Sequence, residues 1–298
     1  MNRLGFCYHP DLVGAYPLAE QLAKHARERG AETWLAALGG DEVERTLSER
    51  VPDSELVVCV GGDGTVLHAS AVAARCETPI FGVRIGRLGF LCEVTGEEAP
   101  VALQRILDGE ARSERRAMIQ AQLADGESRE DWPAHALNDV VIGRRGLGRT
   151  ISVGARIDGV LIAEYRADAV IVATATGSTG YALSVGGPIL HPSSGDMVLI
   201  PVAPHLSRAN ALVLPASASI QLEVARGFEA HVSVDGHMEL PVSAGSVVEV
   251  SRSARTVDFL RLGDDDAFYA HLARRLGWLR LDHVLDEGDG GSTRRSGD

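Results

Sequence analysis

Aromatic side chains are scarce in this sequence and make up only 5% of its 298 residues. The interior must therefore be filled mainly by Val, Leu, Ile and Ala. Positive charge is also in deficit, since 29 Lys and Arg stand against 41 Asp and Glu, a formal net charge of −12. Such an acidic chain argues against broad nucleic-acid binding, which needs a basic surface to displace counterions. Nucleotide binding stays open, because backbone N–H groups and a few local cations can hold phosphates.

The sequence also lacks an apolar run of about 18 residues, so it predicts no membrane-spanning helix. Its first residues show no basic stretch followed by an apolar segment, so no signal peptide is expected. The few cysteines are scattered and form no CxxC pair; they are Cys7, Cys59, Cys76 and Cys92. This spacing favours reduced, mostly buried thiols over a disulfide framework. We therefore expect a cytoplasmic protein without nucleic-acid or membrane partners.

The first 110 residues alternate apolar strands with helical patterns. Strands are predicted at Leu4–Tyr8, Thr33–Leu38, Leu56–Val60 and Ile80–Val83. Helices are predicted at Leu18–Arg29, Glu42–Arg50 and about Thr65–Arg75. The apolar run Leu56–Val60 is typical of a strand buried on both faces of a parallel sheet. This alternation predicts βαβ units and a Rossmann-like α/β domain over residues 1–113.

Residues 114–256 change to short alternating segments separated by Gly, Pro, Asp and Asn, the pattern of a β-rich domain. Strands are predicted at Ala117–Leu123, Ala136–Ile142, Ile151–Ile157, Ala169–Ala173, Val198–Val202, Ala211–Leu214, Ser219–Val224, His231–Val234 and Ser246–Ser251. Asp158-Gly159 predicts a hairpin between two such segments. The fold class is thus α/β plus β-rich.

The chain end is expected to return to the first domain. Val257–Leu262 is predicted to be a strand and Phe268–Leu276 an amphipathic helix, within a returning segment over residues 257–285. Residues 286–298 are rich in Gly, Ser and charge, and we expect them to be a disordered tail.

The strongest local motif is Gly61-Gly62-Asp63-Gly64-Thr65, which follows the predicted buried strand and opens a helix. The glycines allow a tight turn and let a phosphate approach without a Cβ in the way. The helix N-terminus adds N–H groups and the positive end of a dipole, which suit a phosphate. Asp63 could then accept a proton from an attacking hydroxyl, hold Mg²⁺, or do both. The alternative is that Asp63 only caps the helix and the glycines make an ordinary turn.

Two further segments are weaker signals when taken singly. Gly82–Leu91 is a strand running into a Gly-rich turn, which is common at nucleotide sites and at tight turns alike. Arg166–Pro188 delivers hydroxyls, glycines and one tyrosine after a strand; it could bind ribose and adenine or simply join strands. The histidines match no zinc spacing, so no metal ligand is predicted. Ser178 and Ser184 lack a GxSxG elbow, which argues against a serine nucleophile.

Taken together, these motifs resemble the NAD kinase family. The GGDGT motif, the Gly82–Leu91 turn, Asn138-Asp139 and the segment from Thr176 to Pro188 occur in that family's order and spacing, and the resemblance covers Leu4 to about Leu276. GGDGT alone is shared with diacylglycerol and sphingosine kinases and resembles the phosphofructokinase loop. Those relatives are not expected to carry the Thr-Gly-Ser-Thr segment.

The resemblance implies an NAD kinase, which transfers the γ-phosphate of ATP to the 2′-hydroxyl of the adenosine ribose of NAD to give NADP. It implies Mg²⁺ as the cofactor that accompanies ATP, NAD and ATP as substrates, and a homodimer or homotetramer. Two alternatives stay open: a non-catalytic NAD-binding regulator, and a lipid or sphingoid-base kinase that shares the GGDGT loop.

The resemblance also implies residue roles. Asp63 is the implied catalytic residue, which accepts the proton of the ribose 2′-hydroxyl. The implied substrate-binding positions are Gly61, Gly62, Gly64, Thr65, His68, Asn138, Asp139, Arg149, Arg166, Asp168, Thr176, Thr179, Gly180, Tyr181, Ala182, Leu183, Ser184 and His237. The chain departs from the family's usual residues at Arg84, Ala175, Gly180 and His237, which leaves the choice between NAD and NADH and the phosphoryl donor open.

Overall fold

The structure is a computed structural model that describes residues 1–39, 41–86, 89–124, 132–146, 150–205, 210–225, 228–263 and 267–278. Within these ranges, no helix combines the length and the apolar character needed to cross a membrane. Residues 1–262 form one unit, and the described residues from 263 onward belong to a second.

The N-terminal part is a parallel sheet with helices between its strands, as the sequence predicts. The strands are β1 (Arg3–Tyr8), β2 (Glu32–Ala37), β3 (Leu56–Gly61) and β4 (Ile80–Arg84), in the spatial order β4-β3-β1-β2. The elements between and after them are α1 (Ala15–Glu28), α2 (Asp41–Arg50), α3 (Asp63–Cys76), β5 (Val94–Thr95) and α4 (Ala99–Leu107). Every residue of β3 is buried, which confirms the interpretation of its apolar run.

The two faces of this sheet carry separate apolar clusters, because successive side chains of a strand point to opposite faces. On one face Phe6, Phe81 and Leu22 are fully buried together. On the other face Cys59 packs with Val66 at the start of α3. All four cysteines are free, and three of them are buried. Burial raises the pKa of the thiol of Cys7 to about 12, so it stays protonated and unreactive.

The β-rich part consists of two sheets packed face to face. Its strands are β6 (Arg112–Leu123), β7 (Ala134–Ala136), β8 (Asp139–Arg144), β9 (Ile151–Ile157), β10 (Val160–Ala167), β11 (Ala169–Thr174), β12 (Met197–Val202), β13 (Leu212–Leu214), β14 (Ile220–Val224), β15 (Ala230–Val234), β16 (Met238–Val242) and β17 (Val247–Arg261). One sheet has the order β13-β12-β11-β8-β15-β16. The other strands join the parallel strands in the order β10-β9-β14-β17-β4-β3-β1-β2, with β6 beside β17 and β7 beside β6. The largest apolar cluster lies between the two sheets.

Strand β17 belongs to both parts of the molecule. It pairs antiparallel with β6 over most of its length, and Phe259 pairs in parallel with Ile80 of β4. The prediction of two strands at 246–251 and 257–262 is wrong: a single strand runs through, with an irregularity between Arg252 and Thr256. An irregularity of this kind shifts the alternation of buried and exposed side chains, so the pattern reads as a break. The domain boundaries after residues 113 and 256 stay predictions, since one sheet continues across both.

Two local predictions in the second half can be compared with the structure. Asp158 and Gly159 have φ values of 49° and 82° and join β9 to β10, which confirms the predicted hairpin. The helix predicted near the chain end is present as α6 (Ala267–Arg275). Its return to the first domain stays a prediction, and residues 286–298 lie outside the described residues.

Candidate active site

The turn between β3 and α3 forms the first part of the candidate site. β3 ends at Gly61, and α3 begins at Asp63. The side chain of Thr65 fills the space that a Cβ at Gly61 would need, so packing requires glycine there. A Cβ at Gly62 or Gly64 would meet nothing within 4 Å, so the backbone at these positions is open to an approaching ligand. The hydroxyl oxygen of Thr65 is buried without a hydrogen-bond partner among the described residues.

The carboxylate of Asp63 is held by the neighbouring Gly-rich turn. Its Oδ2 accepts the N–H of Phe90 at 2.6 Å, and its Oδ1 accepts the N–H of Leu91 at 3.0 Å. Gly89 lies so close that a Cβ there would collide with the carboxylate. These two bonds go to the next turn, whereas a helix cap would accept N–H groups of α3. Since a carboxylate has about four lone-pair sites, roughly two remain for a ligand.

Farther along α3, His68 meets the hairpin that joins β15 to β16. Its ring is stacked on that of His237, with an interplanar angle of 13° and centroids 6.0 Å apart. Its Nε2 lies 3.3 Å from Oε1 of Glu44 in α2. The structure thus brings together His68 and His237, two predicted site residues that are far apart in the sequence.

Asp235, on the same hairpin, fixes the backbone that leads into β8. Its Oδ2 accepts the N–H of Leu137 at 2.7 Å, and its Oδ1 accepts those of Asn138 at 2.7 Å and Asp139 at 3.0 Å. In return, the N–H of Asp235 donates to the carbonyl oxygen of Asp139 at 3.0 Å. The predicted pair Asn138-Asp139 is therefore locked to the hairpin that also carries His237.

The carboxyl groups of Asp139 and Asp235 influence one another. Burial, and then the negative charge of Asp235, raise the pKa of Asp139 to about 7. Burial also raises the pKa of Asp235, while its three backbone N–H donors act in the opposite direction. Because those donors stabilise a negative charge on Asp235, we assign the proton of the pair to Asp139.

The loop that follows β11 packs against Asn138. The N–H of Thr174 donates to the carbonyl oxygen of Asn138 at 2.8 Å. A Cβ on Gly177 would collide with the backbone of Asn138, so only glycine permits this approach. A 3₁₀ turn (Gly177–Thr179) and the short helix α5 (Tyr181–Ser184) complete the loop. Tyr181 is 43% exposed, so its ring can face a ligand.

Serine and threonine hydroxyls inside this loop hold its shape. Ser178 Oγ donates to the carbonyl oxygen of Ala175 at 2.6 Å and accepts the N–H of Leu190 at 3.0 Å. Thr179 Oγ1 donates to the carbonyl oxygen of Thr176 at 3.0 Å. Ser178 is fully buried, in agreement with the argument against a serine nucleophile.

Two predicted site residues lie at the far end of β11 from this cluster. Asp168 directly precedes β11 and lies 3.2 Å from the guanidinium of Arg144. Arg166 Nε donates to Thr150 Oγ1 at 3.3 Å. A six-residue strand spans about 20 Å, so these side chains form a separate group. Arg149 lies outside the described residues.

Sequence reasoning missed two buried groups that support the site. Asp235 contacts residues almost a hundred positions away, and only its place in an Asp-Gly hairpin hinted at a structural role. Arg116 is 5% exposed and donates to the hydroxyl of Thr176 at 3.3 Å. The sequence around Arg116 is rich in charge and gives no signal that this arginine is buried.

Comparison with known proteins identifies the family. The model described as the ATP-NAD kinase N-terminal domain matches residues 6–111, and that of the ATP-NAD kinase C-terminal domain matches residues 137–262. The chain is 34% identical over 276 residues to the NAD kinase of Dehalococcoides mccartyi strain CBDB1, covering 92% of this chain and 96% of that protein. It is 35% identical to the NAD kinase of Chloroflexus aurantiacus strain J-10-fl, covering 93% and 99%. The chain belongs to the NAD kinase family.

Solved structures of NAD kinases share the fold. A crystal structure of yeast NADH kinase complexed with NADH has a TM-score of 0.82 at 22% identity, covering 94% of this chain and 90% of that one. An NAD kinase from Archaeoglobus fulgidus in complex with ATP has a TM-score of 0.75 at 26% identity, covering 93% and 100%. As an NAD kinase, the chain is a phosphotransferase, and the resemblance inferred from its motifs is confirmed.

Proposed function

We propose that this NAD kinase transfers the γ-phosphoryl group of ATP to the 2′-hydroxyl of the adenosine ribose of NAD, with Asp63 as the catalytic residue. In this step the ribose 2′-oxygen forms a bond to the γ-phosphorus while the bond to the β,γ-bridging oxygen breaks. ADP leaves, and the hydroxyl proton passes to the carboxylate of Asp63. The observation that carries the proposal is the position of this carboxylate, which is held by two N–H groups beside the open backbone of Gly62 and Gly64.

The phosphates of ATP are assigned to the start of α3. The first N–H groups of a helix have no partner within the helix, and the helix dipole favours negative charge there. Gly62 and Gly64 leave this backbone uncovered, and the unpartnered hydroxyl of Thr65 can donate to a phosphate oxygen. Gly61 contributes by making room for Thr65. The solved A. fulgidus relative complexed with ATP agrees with an ATP site on this fold.

NAD is assigned to the surface formed by the Asn138-Asp139 pair and the loop after β11. The amide of Asn138 and the carboxyl of Asp139 can bind ribose hydroxyls, and the exposed ring of Tyr181 can pack on a base. The shape of this loop is set by Thr176, Thr179, Gly180, Ala182, Leu183 and Ser184. His68 of α3 and His237 of the β15–β16 hairpin, whose rings stack on each other, are proposed as further contacts. Arg149, Arg166 and Asp168 are proposed as further NAD contacts by family resemblance.

Mg²⁺ is the proposed cofactor, and the residues present fit it in a limited way. In the described part of the chain, no group of three or more His, Cys, Asp or Glu is arranged to hold a metal ion. Mg²⁺ in kinases is commonly held by one or two carboxylates together with substrate phosphates and water. Asp63, with lone pairs to spare, is the carboxylate that would contribute. When bound with ATP, Mg²⁺ neutralises charge on the phosphates.

Two broader properties are also proposed. We propose a cytoplasmic location, which the free and mostly buried cysteines support, and assembly into a homodimer or homotetramer, which the family resemblance implies. Sedimentation of the purified chain would separate these assemblies from a monomer.

The proposed reaction is tested with purified protein, ATP, Mg²⁺ and NAD, and the product is read by an NADP-specific dehydrogenase. The expected result is NADP formation that requires ATP and is suppressed by EDTA. A folded protein that binds NAD but makes no NADP from ATP or polyphosphate would instead be an NAD-binding regulator. A protein that does not bind NAD would contradict the assignment of the Asn138-Asp139 surface.

A further inference from the structure

One face of the strand pair β6 and β17 carries a buried charged cluster. Glu114 and Arg116 alternate on β6, and Phe259 and Arg261 alternate on β17, so each pair shares a face. The register places Glu114 opposite Phe259. The side chains of Arg116 and Arg261 are 6% and 7% exposed, which is unusual for arginine.

Within this cluster, Glu114 joins the two arginines. Its Oε1 accepts a hydrogen bond from Arg116 Nε at 2.6 Å and one from Arg261 Nε at 3.3 Å. Arg261 Nη1 also donates to Glu93 Oε2 at 3.0 Å. The ring of Phe259 contacts both guanidinium groups, at 5.4 Å from Arg116 and 4.9 Å from Arg261. Two guanidinium groups thus lie against one aromatic ring, and two glutamates accept hydrogen bonds from them.

The cluster reaches the phosphate-binding side of the active site through Arg261. Its Nη1 donates to the carbonyl oxygen of Leu91 at 3.3 Å. The N–H of the same residue, Leu91, donates to Asp63 at 3.0 Å. Arg261 therefore restrains the residue that holds the catalytic carboxylate.

The cluster reaches the dinucleotide-binding side through Arg116. Its Nη1 donates to Thr176 Oγ1 at 3.3 Å. Thr176 is 3% exposed and directly precedes the 3₁₀ turn, and its carbonyl oxygen accepts a hydrogen bond from the hydroxyl of Thr179. Arg116 therefore restrains the start of the loop assigned to NAD.

A buried ion cluster is weak grounds for stability, because desolvating the charges costs as much as their attraction returns. Well-packed apolar side chains could fill this space at no loss of stability. Apolar side chains could not, however, donate hydrogen bonds to the carbonyl oxygen of Leu91 on one side and to the hydroxyl of Thr176 on the other. The planar fork of arginine makes several directed hydrogen bonds at once, which suits this bridging position.

We propose that Arg116 and Arg261, joined through Glu114, are positioning residues that set the Asp63 segment and the NAD-binding loop at a fixed separation. This inference rests on the proposed roles of Asp63 and of the loop after β11. Phosphoryl transfer depends on holding donor and acceptor in line, so a rigid bridge between their two binding segments supports catalysis without touching either substrate.

The test compares Arg261→Lys and Arg116→Lys, which keep the charge but lose the fork. Arg115→Lys is the matched control, because Arg115 lies on the opposite face of β6 and makes a two-point ion pair with Asp258 at 2.9 and 3.0 Å in solvent. NADP formation is measured well below the Tm of each variant. We expect Arg261→Lys to lower kcat about tenfold or more, since small misplacements near the reacting atoms are costly. We expect Arg116→Lys to raise the KM for NAD about fivefold, and the control to change neither value.

A second set of variants changes Thr176 and leaves the ion cluster intact, so that an effect on activity cannot come from misfolding of the cluster. Thr176→Val removes the hydroxyl that Arg116 contacts, whereas Thr176→Ser retains a hydroxyl. We expect Val to raise the KM for NAD and Ser to restore it. Adding Arg116→Lys to Thr176→Val should raise KM no further, because the link is already broken.

These outcomes separate the inference from the proposed reaction. A wild-type protein without NADP formation would contradict the reaction itself. An active wild-type protein whose Arg116→Lys and Arg261→Lys variants keep kcat and KM within about twofold would overturn the positioning roles. Additive KM effects of Arg116→Lys and Thr176→Val would show that Arg116 does not act through Thr176.

Discussion

At the scale of single residues, Asp139 carries the clearest electrostatic signature in the site. Its carboxyl is buried beside Asp235, and the three backbone N–H donors go to Asp235 alone. Since burial raises the pKa of Asp139 to about 7, this side chain holds a proton over a range where an exposed aspartate is ionised. Below that pH it can donate a hydrogen bond to a ribose oxygen as well as accept one.

Asp139→Asn should change how stability depends on pH. Between about pH 4 and 7 the folded protein keeps a proton on Asp139 that the unfolded chain has released, so stability falls as pH rises through this window. Asparagine does not ionise, so the stability of the variant does not show this decrease with pH. We expect the Tm of the variant relative to wild type to increase by several degrees between about pH 5 and pH 8, measured by thermal unfolding.

Asp53→Asn is a suitable control for that experiment, because Asp53 is an exposed partner of Arg3 outside the site. Its Tm difference from wild type should be the same at both pH values. A Tm difference for Asp139→Asn that is equally flat would show that Asp139 is ionised throughout and would contradict the proton assignment.

At the scale of elements, the N-terminal turn of α3 contains a glycine, Gly64, which is unfavourable in a helix but leaves the backbone accessible to a ligand. Glycine in a helix costs up to about 1 kcal/mol relative to alanine. Gly64 has no neighbour that a Cβ would meet, so packing does not require glycine there. An approaching phosphate provides a reason for it, because a Cβ would cover the N–H groups of the first turn.

Gly64→Ala should therefore give a protein that is as stable as wild type or more stable, but that binds ATP less tightly. We expect the KM for ATP to rise about tenfold, the effect of losing one hydrogen bond to a charged group. Gly146→Ala makes the same change where a Cβ also meets nothing, beyond the end of β8. An unchanged KM for ATP in Gly64→Ala would place the phosphates elsewhere.

The sequence could predict the elements whose defining residues are close together in the chain. β3 and the GGDGT turn were predictable, because an apolar run, three glycines and a helix start are consecutive in the chain. α4 and β16 were not, since α4 is short and begins with Ala99-Pro100, and only one residue of β16 is buried. The hairpin signal at Asp158-Gly159 indicated where β10 starts, but its mostly exposed residues did not reveal its extent. The bulged strand β17 was read as two strands because its alternation shifts.

The candidate site also has parts that the sequence could predict and parts that it could not. Asp63 was predictable from its motif, and Asn138-Asp139 from the family's spacing. The hydrogen bonds that orient them come from distant positions: Leu91 for Asp63, and Asp235 for Asn138 and Asp139. No local pattern encodes such pairings.

At the scale of the whole molecule, β17 ties the parallel sheet to the β-rich part. Residues 1–262 form one unit, and the core of each part is closed by the same extended sheet. A strand shared by both parts cannot leave one of them without disturbing the other. We infer that residues 1–262 unfold cooperatively.

Scanning calorimetry of the full chain should show a single unfolding transition for this unit. Phe6→Ala, in the core of the parallel sheet, and Val172→Ala, between the two β-sheets, should both shift that same transition to lower temperature. Two transitions, each moved by only one of the variants, would support separate domains as predicted from the sequence.

The central claim is that Asp63 accepts the proton of the ribose 2′-hydroxyl while other residues bind the substrates. The most direct measurement is the rate of NADP formation by Asp63→Asn together with its affinity for NAD by calorimetry. The account predicts that kcat falls about 10²–10⁴-fold, the range for loss of a general base, with NAD affinity nearly unchanged. A variant that binds NAD normally and keeps near-normal turnover would show that Asp63 has no catalytic role.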